Sequence, residues 1–320
     1  MKVVIVGNFS ERARGLIGRT FPRDWVVVLT TPHEAAKELE GADVLIPEHM
    51  SVDRALLDRA KNLKLIQTGA GYDNVNIDEC TKRGVLVAHA KGVNAAAVAE
   101  HVFAFILTWV KNVILLDRMM KQGAYDVDYV GSELSGKTMG IVGLGRIGQE
   151  VGRLAHAFRM KVFACHTRRI NVPADIELAD LPTLLQHSDI VTLHVSLQQQ
   201  TRHMIGRKEL ALMKRNALLI NTSRGPIVDE KALIDALQKG QIAGAALDVF
   251  ETEPLPADSL LRKMPNVILT PHTAGMPDGL KFHQKRYEFF VGNITRIGEG
   301  KPPVNALNEV SRGAVSWSDQ

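Results

Sequence analysis

The stretch Met139-Gly140-Ile141-Val142-Gly143-Leu144-Gly145-Arg146-Ile147-Gly148 sets the reading of the whole chain. Residues 138–142 form a short apolar run suited to a buried strand, and it enters Gly-x-Gly-x-x-Gly without a break. Residues 149–155 continue with helical periodicity, and a second strand candidate, 161–165, begins at the distance expected of a strand–helix–strand unit. Each glycine has its own reason: Gly143 for a tight turn, Gly145 for close approach of backbone to a pyrophosphate, Gly148 for packing helix on strand. Phosphates held by Gly143, Leu144, Gly145, Arg146, Ile147 and Gly148 would lie at a helix N-terminus, where unbonded N–H groups and the macrodipole favour anions.

The rest of the composition is that of an ordinary globular protein. A chain of 320 residues, 45% hydrophobic and 23% charged, suggests two domains with a core each. The net charge of +4 comes from Lys and Arg interspersed with Asp and Glu, so no basic stripe invites nucleic acid. Cys80 and Cys165 have no metal-ligand or redox spacing, no His/Cys cluster suggests a metal, and so few thiols fit a reducing cytoplasm. Residues 1–7 read as a strand rather than a signal peptide. The apolar run 102–116, interrupted by Lys111, is short for a bilayer span, so no membrane partner is expected.

Upstream, strand candidates at 3–6, 26–29, 44–46, 63–67 and 85–88 alternate with helical runs such as 32–39 and 52–60. This predicts a helix-covered parallel sheet, wound like a nucleotide domain but lacking the phosphate loop, because Asn8-Phe9-Ser10 follow Gly7. After 63–67 come Thr68-Gly69-Ala70-Gly71-Tyr72-Asp73-Asn74, small residues whose successive N–H groups can form an anion nest; spacing alone reads equally as a plain turn. Residues 94–120 read as one long apolar helix, buried between domains or subunits. Later strands are expected at 190–194, 217–221, 242–247 and 267–270, with helices at 209–213, 230–239 and 279–297. The fold class is α/β, with two doubly wound parallel-sheet domains, the central one a Rossmann dinucleotide-binding domain.

Open parallel sheets bind ligands beyond the carboxyl ends of their strands. Thr222-Ser223-Arg224-Gly225 follow one late strand, Asp248-Val249-Phe250-Glu251-Thr252-Glu253-Pro254 the next, and Pro271-His272-Thr273 the last. An Arg, at least one carboxylate and a His therefore gather at the edge that carries the phosphate loop. Arg offers a planar fork to a carboxylate and can polarise a carbonyl. His, held as the imidazolium by a carboxylate, can protonate an oxygen as hydride arrives. The set suits reduction of a 2-oxo acid by a nicotinamide and needs no metal. His194 is the rival base, but Gln198-Gln199-Gln200-Thr201 beyond it supply no orienting carboxylate.

Taken together, these stretches resemble the D-isomer-specific 2-hydroxyacid dehydrogenases over nearly the whole chain. Six ordered motifs carry the resemblance: Gly69-Ala70-Gly71-Tyr72-Asp73-Asn74-Val75; Val93-Asn94-Ala95 with Val98-Ala99-Glu100; the 143–148 loop; Asn221-Thr222-Ser223-Arg224-Gly225; Ala246-Leu247-Asp248-Val249-Phe250 with Glu253-Pro254; and Thr270-Pro271-His272. The resemblance implies that Arg224 binds substrate, His272 is the acid/base, and Glu253 rather than Glu251 is its partner. It implies that N–H groups of Gly69, Ala70 and Gly71 hold the substrate carboxylate, that Asp248 contacts the nicotinamide amide, and that His194, Thr222, Arg224 and His272 also line the cofactor. It further implies a homodimer paired through 94–120, and a discontinuous substrate domain (1–95 plus 286–320) around a dinucleotide domain (96–285). The expected activity is hydride transfer between NAD(P)H and a small 2-oxo acid/D-2-hydroxy acid pair of the glyoxylate or hydroxypyruvate type. The alternatives are an NAD(P)(H)-sensing binding protein on the same fold and a phosphoglycerate dehydrogenase-like member.

Departures from the family pattern refine this. Where NAD-preferring relatives carry an acidic residue for the ribose hydroxyls, this chain reads Cys165-His166-Thr167-Arg168-Arg169. His166, Thr167, Arg168 and Arg169 suit a 2′-phosphate, so NADP is favoured, with NAD the alternative. Pro47-Glu48-His49-Met50-Ser51 stands where phosphoglycerate dehydrogenases usually show Arg-Ser-x-Thr, and the regulatory domain that many of them carry is not seen. His49, Met50, Tyr72 and Met276 are candidates for the lining of the substrate side-chain pocket.

Overall fold

A computed structural model describes residues 1–48, 50–125, 128, 131–166, 172–275 and 280–310, with backbone alone at 280 and 281. The chain divides into two compact units, Met1–Val93 with Asp278–Gln320, and Asn94–Pro277. The boundaries implied by the resemblance lay at 95/96 and 285/286.

The first unit is laid down as β1 (Lys2–Val6), α1 (Glu11–Thr20), β2 (Val26–Thr30), α2 (Ala35–Glu38), β3 (Val44–Pro47), α3 (Arg54–Arg59), β4 (Leu65–Thr68), α4 (Ile77–Lys82) and β5 (Leu86–His89). Its strands are all parallel, in the order β2-β1-β3-β4-β5. Side chains alternate in β1: Val3 and Ile5 pack with Leu16 and Ile17 on one face, Val4 and Val6 with Leu39 and Leu57 on the other. Polar caps set the helix starts, with Ser10, Asp53 and Asn76 each accepting a backbone N–H three residues on.

The second unit comprises α5 (Ala95–Val110), α6 (Val113–Lys121), β6 (Thr138–Val142), α7 (Arg146–Ala157), β7 (Lys161–Cys165), β8 (Glu177–Leu178), α8 (Leu181–His187), β9 (Ile190–Leu193), α9 (Arg207–Leu212), β10 (Leu218–Asn221), α10 (Glu230–Gln238), β11 (Gly244–Leu247) and β12 (Val267–Leu269). The order β12-β11-β10-β9-β6-β7-β8 reverses between β6 and β9, which puts the switch point at the glycine loop. Leu218 and Ile220 face one core and Leu219 the other, so β10 is apolar on both sides. The chain then returns to the first unit through α11 (Leu280–Gly298). Tyr287, Phe290, Ile294 and Ile297 form its buried stripe, clustered with Leu16, Ile17 and Phe21.

One expectation needs correction. Residues 94–120 are not a single helix: α5 and α6 meet at 57°, with Asn112 between them in the left-handed region at φ 53°. Asn accepts that conformation more readily than most residues, so the chain can turn there. The expected burial applies to α5 alone. α6 has no buried residue, and Val113, Ile114, Leu115 and Met120 stand exposed along it. Among the described residues no single helix is long and apolar enough to cross a membrane.

Candidate active site

The glycine loop separates its three glycines by what surrounds each. Gly143 has φ 102°, and a Cβ there would sit 2.7 Å from the carbonyl carbon of His194. Gly148 is buried, and a Cβ would come within 2.2 Å of the Gly143 oxygen. At Gly145 a Cβ would meet nothing within 4 Å. Gly145 is also the N-cap of α7, and no side chain caps that helix. The amides that open α7 are thus left without a side-chain acceptor, with Gly145 and Arg146 exposed, Ile147 half-buried and Leu144 buried beneath. Leu144 N donates to Nδ1 of His166 at 3.2 Å, fixing that ring against the turn. Thr167, Arg168 and Arg169 lie outside the described residues.

Two further groups border this edge. His194 continues the ladder, donating its N–H to Val142 O at 2.7 Å, while its Nε2 lies 3.0 Å from Thr192 Oγ1. Burial pushes its pKa down to about 3, so at neutral pH the ring is uncharged, unlike the imidazolium an acid in this reaction requires. Thr222, just past β10, is 9% exposed, and its Oγ1 has no hydrogen-bond partner among the described residues. An orphaned buried hydroxyl and unused helix-end amides are what a dinucleotide would satisfy, and the room at Gly145 admits its pyrophosphate.

Arg224, Glu253 and His272 follow β10, β11 and β12. Asn221 shapes the first loop: its Nδ2 donates to Arg224 O at 2.9 Å and its Oδ1 accepts from Ser223 N and Oγ. Arg224 is half-buried, with Nη1 donating to Ser223 O at 2.7 Å. The next residue, Gly225, lies so close to the following loop that a Cβ would be 1.8 Å from Phe250 O, which seats the Arg224 loop on the Glu253 loop. Glu253 Oε1 accepts from Phe250 N at 3.0 Å, and its Oε2 lies 2.7 Å from Nδ1 of His272. Glu251, which spacing could not separate from Glu253, is paired with His203 instead. The His272 and Glu253 side chains are 41% and 35% exposed, so the pair is open to a ligand.

Asp248 organises the loop that carries His272. It is 1% exposed; Oδ1 accepts from Thr270 Oγ1 at 2.5 Å and from Thr273 N at 2.8 Å, and Oδ2 accepts from Ala274 N at 2.9 Å. Its carbonyl accepts His272 N at 2.7 Å, holding the histidine at φ 53°, a strained conformation for a non-glycine residue. With three donors on the carboxylate, about one acceptor position remains for a nicotinamide amide. His101 of α5, which sequence reasoning missed, completes the arrangement, its Nε2 lying 3.0 Å from Thr270 Oγ1. Because the threonine proton goes to Asp248, His101 is the donor there, which assigns its proton to Nε2. Its only signal in the sequence was adjacency to Glu100 in a motif.

In the first unit, Gly69, Ala70 and Gly71 follow β4, and their amides have no acceptor among the described residues. Ala70 O lies 3.3 Å from Nδ1 of His89, whose ring meets Tyr72 edge-on at 5.1 Å. Met50 is buried, whereas His49 and Met276 lie outside the described residues.

Comparison with known proteins agrees with this geometry. The family model described as D-isomer specific 2-hydroxyacid dehydrogenase, NAD binding domain, matches residues 103–274. A glyoxylate reductase of Thermococcus litoralis is 41% identical over 291 residues, 86% of each chain. A D-lactate dehydrogenase structure from Aquifex aeolicus, complexed with NAD and lactic acid, superposes with a TM-score of 0.85 at 30% identity, covering 97% of this chain and 100% of that one. An acyclic imino acid reductase bound to NADPH and D-Arg gives 0.84 at 28% identity, covering 96% and 100%.

Proposed function

This chain belongs to the D-isomer-specific 2-hydroxyacid dehydrogenases, and from that premise we propose that it reduces glyoxylate or a closely related small 2-oxo acid to the D-2-hydroxy acid. The observation that carries this reading is the 2.7 Å contact between His272 Nδ1 and Glu253 Oε2, set beside the Arg224 loop. A nicotinamide dinucleotide, held by residues 143–148, Thr222 and Asp248, supplies the hydride. With Nδ1–H committed to Glu253, the imidazolium of His272 presents Nε2–H to the substrate oxygen, and the carboxylate stabilises the charged ring until that proton leaves. Arg224 gives the substrate a charged fork, and the amides of Gly69, Ala70 and Gly71 take its carboxylate.

For the cofactor, NADPH is the preferred donor: the position that would repel a 2′-phosphate holds His166, followed in sequence by Thr167, Arg168 and Arg169. The protein acts as a homodimer, and the exposed Val113, Ile114, Leu115 and Met120 of α6 are the face that supports pairing. The test is the rate of NADPH and NADH oxidation with glyoxylate, hydroxypyruvate and pyruvate. Turnover with NADPH ahead of NADH, and loss of that preference in Arg168→Ala/Arg169→Ala, is the expected result. Binding of both cofactors with no turnover would sink the enzyme reading in favour of a sensing protein. Sedimentation of Ile114→Glu as a monomer tests the dimer face.

A further inference from the structure

A Gly-Ala-Gly run has little steric reason to keep one conformation, so the peptides of residues 69–71 need an outside hold. In a trans peptide the C=O and N–H point to opposite sides, and fixing a carbonyl therefore fixes the amide of the next residue. Thr68 O accepts Gln67 Nε2 at 2.9 Å and Ala90 N at 3.3 Å. Gly69 O accepts Ala90 N at 2.9 Å, and Ala70 O accepts Nδ1 of His89 at 3.3 Å. Three successive carbonyls are thus drawn toward the end of β5. The amides of Gly69, Ala70 and Gly71 are turned the other way, where no group among the described residues accepts them.

The three holds differ in kind. Val304 N donates to Asn293 Oδ1 at 2.7 Å, which leaves Asn293 Nδ2 to donate to Gln67 Oε1 at 2.7 Å and commits Gln67 Nε2 to Thr68 O. Gln67 and Asn293 are both buried, so this hold belongs to the core. Gly69 O is held by backbone. Ala70 O, the outermost, has one donor among the described residues, and that donor is the His89 side chain. The ring is itself placed: His89 N donates to Asn305 O at 3.3 Å, and Tyr72 meets the ring edge-on at 5.1 Å. Burial, opposed by the Ala70 carbonyl and reinforced by Lys91, keeps its pKa below the ordinary histidine value. The neutral ring carries one proton, and the carbonyl, an acceptor, places it on Nδ1.

We propose that His89 is a positioning residue for the substrate carboxylate: through Ala70 O it fixes the peptide between Ala70 and Gly71 and so aims the Gly71 N–H. This rests on the 2-oxo acid reductase reading given above. The carboxylate takes no part in hydride transfer and is held alike in the ground and transition states, so a lost hold raises KM and leaves kcat. Two variants separate the donor from the bulk of the ring. His89→Phe keeps a ring against Tyr72 and loses the donor, whereas His89→Asn loses the ring and keeps an N–H at the branch where Nδ1 stood. With saturating nicotinamide cofactor, His89→Phe should raise KM for glyoxylate about 3- to 10-fold, the range of one neutral hydrogen bond, with kcat within about 2-fold. His89→Asn should keep both constants within about 2-fold of the unaltered protein. The dissociation constant of oxamate, an unreactive 2-oxo acid analogue, from the cofactor-bound protein should move with KM. A packing role alone would reverse the order, sparing His89→Phe and harming His89→Asn. An unchanged KM in His89→Phe, or a KM raised as far in His89→Asn, would overturn the assignment while glyoxylate turnover by the unaltered protein upholds the reaction. If His89→Phe does not fold, His89→Asn decides: oxamate binding within about 3-fold of the unaltered protein supports the assignment, and a larger loss overturns it. Absence of glyoxylate turnover by the unaltered protein would overturn both.

Discussion

Gly145→Ala and Gly148→Ala differ by one methyl at two positions of the same loop, yet the structure separates their consequences. At Gly148 the new carbon would lie 2.2 Å from the Gly143 oxygen, and the contact must open to about 3 Å, so α7 has to retreat from β6 by the better part of an ångström. Overpacking of that kind costs about 1–3 kcal/mol. For a unit of this size that is a fall of about 3–10 °C in melting temperature. At Gly145 the backbone lies at φ −76°, which any residue adopts, and no atom is within 4 Å. Stability should therefore stay within about 0.5 kcal/mol. The same methyl projects into the space a pyrophosphate needs, so NADPH and NADH should bind about 10-fold or more weakly. Thermal melts of the cofactor-free protein and titration with each dinucleotide measure the two effects separately. Coincident melting curves, or unaltered dinucleotide affinity in Gly145→Ala, would refute the division of labour argued for this loop.

Three further outcomes are expected. Glu253→Gln removes the charge that sustains the imidazolium of His272, and kcat for 2-oxo acid reduction should fall about 10²-fold or more; unchanged steady-state rates would remove Glu253 from the mechanism. Thr270→Val strips one donor from the buried Asp248 and the acceptor from His101, so urea denaturation should show a loss of about 1–3 kcal/mol. Asp189 is pushed up by burial, but its bonds from Lys214 and the Thr138 amide outweigh this, and its pKa lies below the ordinary value. Its contribution is therefore complete above the unfolded pKa of about 3.9 and is lost as pH falls through the lower folded value. The stability gap between the unaltered protein and Asp189→Asn, read from urea midpoints, should narrow only in that acid range.

The fold was legible because its signals are local and mutually consistent. Residues 138–148 state a strand, a turn and a helix in eleven positions, and apolar runs bounded by glycine and proline mark the neighbouring strands. Spacing also put Arg224, one of two glutamates and His272 at strand ends. Spacing could not say which glutamate meets the histidine, since that depends on where the chain turns after Phe250. The sequence also misled at Lys111-Asn112: hydrophobicity continues across it, and only the left-handed backbone of Asn112 ends the helix. The hold that His101 and Thr270 have on Asp248 was invisible for a different reason. They act on Asp248 from 147 and 22 positions away along the chain, and a contact of that kind leaves no periodic trace.

The return of α11 to the first unit has a consequence for how the protein is made. Tyr287, Phe290, Ile294 and Ile297 are the wall against which Val3, Ile5, Val44, Ile46 and Leu65 are buried, and they are synthesised after the whole of the second unit. The unit that begins the chain is therefore the last to be completed. A nascent chain that has reached residue 277 holds every part of the phosphate loop, Arg224, Glu253 and His272, while one face of its first sheet still lacks the part of its cover that α11 supplies. On the ribosome the part of that apolar face that α1 does not cover is the exposed surface a chaperone would meet, and chains stalled before α11 should be captured there.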